Sequence, residues 1–346
     1  MSDTTMQAIL LDRPGPLDTL RFGTLPIPRP APGEVLVRVQ AAGLNPVDYK
    51  FAEAGDGIAV WPHVLGVDVA GTVEAVGEAV SKWKPGQRVA FFGDPWRRGG
   101  FAQLAIARAE TLAAIPDGMS FEIAAALPTA GVTAYQILHR KLPERPQVVL
   151  VFGVSGGVGG LAVQIAKAAG HHVIAVARTD RADMARALGA HTVLAPGPDL
   201  LAQLKASTNG HRADLVIDTI GPDNPNDVLD LIAFNGGLAS IVAFPDFSRL
   251  RWFERGISLH EVALGAAYRY GDETDLADLG LMLTSLFAMV DRGEVGVTIA
   301  DMVSFADIPR TLGRLKRRKL NPGKVVATMD FPSSNQNHVS AAEPGK

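Results

Sequence analysis

The sequence predicts an α/β protein of two parts, a β-rich unit and a doubly wound parallel sheet, and three observations carry the prediction. The chain has 346 residues, more than one domain usually holds. Up to about residue 127, short apolar strands alternate with Gly and Pro turns, whereas from Val148 onward apolar strands alternate with helical stretches. The stretch Gly153-Val154-Ser155-Gly156-Gly157-Val158-Gly159-Gly160 follows the apolar run Val148–Phe152 and precedes a helical pattern over 161–169. Strand, Gly-rich turn and helix in that order is how a doubly wound sheet begins.

In the first part, strands are expected over 35–39, 69–76 and 89–92, with Ala31-Pro32-Gly33 and Lys84-Pro85-Gly86 as turns. In the second, strands over 148–152, 173–176, 192–194, 215–218, 238–242 and 258–263 are separated by helices over 161–169, 181–188 closed by Gly189, 199–206, and 226–234 closed by Gly236. A helix over 276–291, a second opened by Ser304-Phe305-Ala306-Asp307, and a strand over 324–329 do not continue the alternation, so they are expected to return to the β-rich part. The domains are accordingly 1–127 with 266–346, and 128–265. The small, polar residues 331–346 read as a disordered tail.

Composition narrows the function classes. Apolar residues make up 47% and charged residues 20%, as in an ordinary globular protein, and the net charge of −3 argues against a broad nucleic-acid or anionic-membrane surface. The basic run Arg314-Leu315-Lys316-Arg317-Arg318-Lys319 reads as a solvated helix end, where cations favour the terminal carbonyls. The absence of cysteine rules out disulfides, thiolate nucleophiles and cysteine-liganded zinc. No secretory signal and no apolar run of ~20 residues is seen, so the cytoplasm is the expected location.

The Gly-rich turn reads as a pyrophosphate cradle. Gly156, Gly157 and Gly159, with the backbone of Ser155 and Val158, let two phosphates approach the free N–H groups and positive end of the following helix. Val154 stands where the first glycine of G-x-G-x-x-G would fall, so the strand–turn–helix context carries the reading. The second strand ends in Ala177-Arg178-Thr179 without the acid that holds an adenosine ribose. The guanidinium of Arg178 and the hydroxyl of Thr179 suit a 2′-phosphate, which favours NADPH over NADH.

Five segments resemble the medium-chain dehydrogenase/reductase superfamily, and within it the zinc-free quinone oxidoreductase branch with its zeta-crystallin-like and alkenal-reductase-like members. They are Ala42-Gly43-Leu44-Asn45-Pro46-Val47-Asp48-Tyr49-Lys50, Leu65-Gly66-Val67-Asp68-Val69-Ala70-Gly71-Thr72-Val73, Gly99-Gly100-Phe101-Ala102, Leu127-Pro128-Thr129-Ala130-Gly131-Val132-Thr133-Ala134-Tyr135, and the cradle; Gly323-Lys324-Val325-Val326 also fits. The resemblance implies a GroES-like β-rich catalytic domain around an inserted Rossmann domain. Zinc-dependent relatives carry a cysteine at the position of Asn45 and a His-Glu pair at Val67-Asp68, so no resident metal is expected. His63 reads as a packed residue.

The same resemblance places Asn45 on the floor of the site, donating to a developing enolate or hydroquinone oxygen, with Tyr49 or Lys50 as proton donors. Asp48 and Asp68 are given supporting parts, and Thr129 and Lys324 face the cofactor. Trp61, Trp96, Phe244, Trp252, Tyr268 and Tyr270 are expected in loops lining a slot for a flat acceptor. The implied activity is NADPH-dependent reduction of a small-molecule electron acceptor, a quinone or an α,β-unsaturated carbonyl. The alternatives are alcohol oxidation without zinc and a non-catalytic NADPH-binding protein. A homodimer through the edge strand 258–263 is implied as well.

Overall fold

The computed structural model describes residues 4–140, 147–221, 224, 227–251 and 253–331; Trp252 and the tail from residue 332 lie outside them. Phe331, the first residue of the expected tail, packs its ring 4.5 Å from that of Phe305.

Among the described residues, six parallel strands form one sheet in the order Thr192–Leu194, His172–Val176, Val148–Phe152, Ala213–Asp218, Ile232–Ser240 and Ser258–Glu261. Numbered along the chain this is 3-2-1-4-5-6, so the order reverses beside Val148–Phe152, the point at which doubly wound sheets bind ligands. The second large sheet runs Ile299–Ser304, Lys324–Thr328, Glu34–Leu44, Asp68–Val76, Arg88–Phe92 and Ala113–Ala114, with Leu104–Arg108 also on Glu34–Leu44. Val325 to Thr328 pair antiparallel with Leu44 to Ala41, so a late segment of the chain completes the sheet begun by the first part.

Several elements depart from the sequence expectation for local reasons. The helix expected over 226–234 is a short 3-10 turn, Val228–Leu231, followed by the strand Ile232–Ser240. Asp227 caps the turn at Leu229 N, Asn235 takes a left-handed φ of 57°, and the strand pairing shifts register there. The β-rich part also contains the helix Pro46–Ala54, opened by Asn45 as N-cap with Pro46 in the first turn and closed by Gly55 at φ 63°. The helix Pro128–Arg140 and the strand Ile299–Ser304 were likewise not anticipated.

The helix Glu273–Asp291 buries Leu276, Leu279, Leu283, Leu286 and Phe287 along one face. It crosses the helix Pro128–Arg140 where a Cβ at Gly131 would lie 2.2 Å from Leu286 Cδ2, so the glycine permits the close approach. The basic run ends the helix Ile308–Lys316 and is anchored by Arg314 to Asp301 at 3.2 Å and by Lys316 to Glu53.

Candidate functional site

The cradle forms where the strand Val148–Phe152 turns into the helix Gly157–Ala168. Gly153 carries the tight turn: its φ is 74°, and a Cβ there would lie 2.0 Å from Thr219 Oγ1. The turn glycine is thus one residue earlier than the standard spacing, which is why Val154 can occupy the next place. Gly156 is an extended N-cap without a side-chain cap, so the first-turn amides of Gly157, Val158 and Gly159 are directed at whatever lies beyond the helix end. A Cβ at Gly156 would meet only Gly153 O at 3.4 Å, whereas one at Gly159 would lie 2.4 Å from that oxygen and one at Gly157 would lie 2.8 Å from Lys324 Cδ. A capless N-terminus over open space, with glycine where close approach is needed, fits a dinucleotide pyrophosphate.

A groove beside this turn is lined by Ser155, Gly156, Gly157, Gln164, Thr298 and Lys324. Gly323 N donates to Ser155 O at 3.1 Å, tying the late strand to the cradle. On the other side, Asp218 Oδ1 accepts from Ile220 N, Gly221 N and Asn224 Nδ2, which shapes the loop after the neighbouring strand. At the tip of His172–Val176, Arg178 and Thr179 are both exposed. The Arg178 guanidinium has a loose pair with Asp180 at 3.3 Å, and Arg181 shares that carboxylate at 3.5 Å.

Facing the cradle is a polar quartet, with Asn45 and Lys324 buried and Thr129 half-buried, centred on Asp68, which is fully enclosed. Its Oδ1 accepts from Thr129 N at 2.7 Å and Thr129 Oγ1 at 2.6 Å; its Oδ2 accepts from Asn45 Nδ2 at 2.8 Å and Lys324 Nζ at 3.3 Å. Lys324 Nζ also donates to Asn45 Oδ1 at 2.5 Å and, longer, to Leu44 O at 3.5 Å. The orientation of the Asn45 amide follows from its neighbours, since its oxygen must face the ammonium and its nitrogen the carboxylate. Its second N–H donates to Gly43 O at 3.3 Å. Both amide protons are therefore engaged, and donation to an acceptor oxygen requires the longer of these bonds to be released.

Asp48, one helical turn beyond Asn45, accepts from Asn45 N at 2.7 Å and Gly66 N at 3.2 Å. Burial pushes its carboxyl up to about 7, assisted by the nearby charge of Asp68. His63 is buried, and burial pushes its imidazole down to about 4, so it is neutral at physiological pH. Its backbone bridges to Leu11 and its ring meets Trp61 edge-on, the setting of a packed histidine.

Tyr49 and Lys50 are not brought to the quartet. Asn45, Asp48 and Ala52 are buried, whereas Lys50 is exposed and Tyr49 is half-buried, with the charges of Arg318, Lys316 and Glu53 around it. Burial raises the Tyr49 phenol. The aromatic residues divide. Trp96 donates Nε1–H to Asp56 O at 3.0 Å, meets Phe51 edge-on, and carries the Arg269 guanidinium 4.3 Å over its ring. Tyr268, adjacent to Arg269, donates its hydroxyl to Phe92 O at 2.5 Å, and burial raises its phenol far above the usual range. Trp96 and the segment carrying Tyr268 are thus joined through Arg269. Trp61 packs onto the core of the β-rich sheet instead, Phe244 is exposed beside Phe247, and Tyr270 is exposed.

Asp68 and Arg269 are the residues whose position sequence reasoning undervalued. For Asp68 a signal existed, a lone carboxylate inside the apolar run from Leu65 to Val73; for Arg269 there was none. Among the described residues, no group of three or more His, Asp or Glu side chains is arranged to hold a metal.

Comparison with known proteins agrees with this architecture. Residues 31–117 match the alcohol dehydrogenase GroES-like domain, and residues 157–278 match the family described as zinc-binding dehydrogenase. A quinone oxidoreductase of Pseudomonas aeruginosa is 31% identical over 86% of this chain and 92% of its own. A trans-enoyl reductase of Aspergillus terreus is 41% identical over 55% of this chain and 56% of its own. A mycobacterial protein solved in complex with NADPH superposes with a TM-score of 0.81, covering 94% of this chain and all of that one at 28% identity. The chain therefore belongs to the medium-chain dehydrogenase/reductase superfamily, a family of pyridine-nucleotide oxidoreductases, in its zinc-free quinone-oxidoreductase-like branch.

Proposed function

We propose that this protein is an NADPH-dependent reductase that delivers hydride to the electron-poor carbon of a quinone or an α,β-unsaturated carbonyl. The observation that carries the reading is the contact between cradle and quartet: the Lys324 stem runs against Gly157 while its ammonium meets Asn45 and Asp68. A nucleotide phosphate on the first-turn amides would thereby lie beside the buried polar groups. When bound, NADPH supplies the hydride. The residues of the chain then position the acceptor, exclude water and stabilise developing charge. Asn45 and Lys324 form a polar edge beside the cradle, and Thr129 holds the other oxygen of Asp68. Trp96 and Tyr268 support a flat acceptor. With Tyr49 and Lys50 on the outer flank of their helix, the proton that completes reduction comes from solvent. The relatives named as quinone oxidoreductase and trans-enoyl reductase support both acceptor classes.

The test is NADPH consumption against a panel of quinones and enals, before and after treatment with a strong chelator. Turnover that survives chelation is expected. No turnover with any acceptor, or a loss that zinc restores, would contradict the reading.

Cofactor choice is assigned to Arg178 and Thr179. A charge-assisted phosphate contact contributes about 1.5–3 kcal/mol, and the exposure of Arg178 places it at the lower end, about 10-fold in affinity. Arg178→Ala should narrow the ratio of NADH to NADPH dissociation constants by that factor while sparing NADH. An unchanged ratio removes Arg178 from the account.

A homodimer is proposed at the edge strand Ser258–Glu261, and the chain is placed in the cytoplasm on the sequence expectation. The dimer is supported by exposed apolar residues near that edge, with Phe234 72% and Leu259 41% accessible. A monomeric mass in solution at micromolar concentration would contradict the dimer.

A further inference from the structure

We propose that Asp68 is the positioning residue of the hydride-transfer site, a single carboxylate that sets Asn45, Lys324 and Thr129 in one arrangement. The inference rests on the reductase reading above and gives Asp68, which that reading left in an undefined supporting part, a specific task. Four donors converge on Asp68 from three separate segments: the N-cap of the helix Pro46–Ala54, the first turn of the helix Pro128–Arg140 and the start of the strand Lys324–Thr328. The space it occupies is kept open by Gly43, where a Cβ would lie 3.0 Å from Asp68 Cβ, 3.1 Å from its Oδ2 and 2.3 Å from Ala125 O.

Asp68 is the carboxylate paired with the buried Lys324 ammonium, whereas the carboxylate of Asp48 is engaged by backbone amides. Through Lys324 the arrangement reaches the cradle, because a Cβ at Gly157 would lie 2.8 Å from Lys324 Cδ and 3.1 Å from the Cβ of Ala130, the residue after Thr129. Both neighbours of Gly157 are thus attached to partners of Asp68. The carboxylate fixes where the nucleotide end of the site stands relative to Asn45.

The chemistry makes an isosteric test possible. An asparagine at 68 accepts on one atom only. If that oxygen keeps Thr129, the new amide faces Asn45 Nδ2 and Lys324 Nζ, donor against donor, and neither can stay where it is. Asp68→Asn therefore breaks the arrangement without opening a cavity, and Thr129→Val removes one donor without touching charge.

Single-turnover hydride transfer and NADPH affinity are measured for wild type, Asp68→Asn, Thr129→Val, Lys324→Gln and the double variant Asp68→Asn/Lys324→Gln. A misplacement of about 1 Å costs on the order of 100-fold in rate. We expect that loss in Asp68→Asn with NADPH affinity within a few-fold of wild type, a smaller loss in Thr129→Val, and a double variant no slower than the slower single. An Asp68→Asn transfer rate equal to wild type, or losses that multiply in the double variant, would overturn the proposal. If Asp68→Asn does not fold, Thr129→Val decides: a wild-type rate there counts against it. Acetic anhydride labelling mapped by mass spectrometry gives a reading independent of turnover. Lys324 should be protected in wild type and acylated in Asp68→Asn, and equal labelling would sink the proposal even if no panel acceptor is reduced, an outcome that would by itself refute only the reductase reading.

Discussion

Gly159→Ala should abolish nucleotide binding at working concentrations and cost about 1–3 kcal/mol of stability, the range of forced overpacking. The added Cβ would lie 2.4 Å from Gly153 O, 2.7 Å from Gly153 C and 3.0 Å from Val154 N. All three are backbone atoms of the turn, so no side chain can move aside. The turn must open, and the first-turn amides lose their common direction. We expect NADPH affinity to fall by at least about 100-fold, equivalent to about 2.7 kcal/mol. Gly156→Ala is the informative contrast, because its Cβ meets protein only at 3.4 Å. That variant should keep its thermal midpoint and weaken the nucleotide alone. Fluorescence titration with NADPH, alongside thermal unfolding of both variants, makes the comparison. Wild-type affinity in Gly159→Ala would refute the cradle assignment.

The second large effect is a dependence of stability on pH through Asp48. Its carboxyl is raised from 3.8 to about 7, chiefly by burial. A group raised on folding binds more protons in the folded than in the unfolded state across that interval. Its contribution is thus fully present below about pH 4 and is lost as pH rises to about 7. Between pH 5 and pH 8 the loss amounts to about 2–3 kcal/mol at 1.36 kcal/mol per unit. His63 acts in the opposite sense: lowered to about 4, it adds stability above its ordinary value of 6.5 that is lost as pH falls toward 4. The two slopes oppose each other in wild type, so the difference between proteins isolates Asp48. Urea unfolding of wild type and Asp48→Asn at both pH values should show the variant gaining relative to wild type as pH rises. Parallel changes in the two proteins would exclude Asp48 as the source.

What could be read in advance follows from how local each signal is. The strand Val148–Phe152 and the order strand, glycine turn, helix are specified by neighbouring residues and form as the pattern indicates. The helix starts at Gly157, four residues before the expected 161, because the last glycines of the stretch make its first turn. The helix expected over 226–234 failed because Val228, Leu229, Leu231 and Ile232 bury equally well in a 3-10 turn that runs into a strand. Periodicity over so short a window does not separate the two outcomes. The helix Pro46–Ala54 carried a local signal that was overlooked, Asn45-Pro46 at its start and Gly55 at its end. The site was legible as a set of residues and not as a network. Asn45, Thr129 and Lys324 were each marked, yet their common partner Asp68 joins them across separations of 23, 61 and 256 residues, which no local pattern records. The aromatic residues were the least legible. Whether an indole lines a slot or packs on a core depends on partners such as Asp56 and Arg269 for Trp96, or the core of the β-rich sheet for Trp61.

The central claim is that hydride passes from bound nucleotide to an electron-poor carbon at the quartet. It is tested most directly by a single turnover with NADPH deuterated at C4 and a simple enal, followed by mass and NMR analysis of the product. The account predicts deuterium on the β-carbon, with a primary isotope effect on the transfer step. Product carrying no deuterium from either C4 face, or oxidation of NADPH without saturation of the enal or reduction of any quinone, would contradict it.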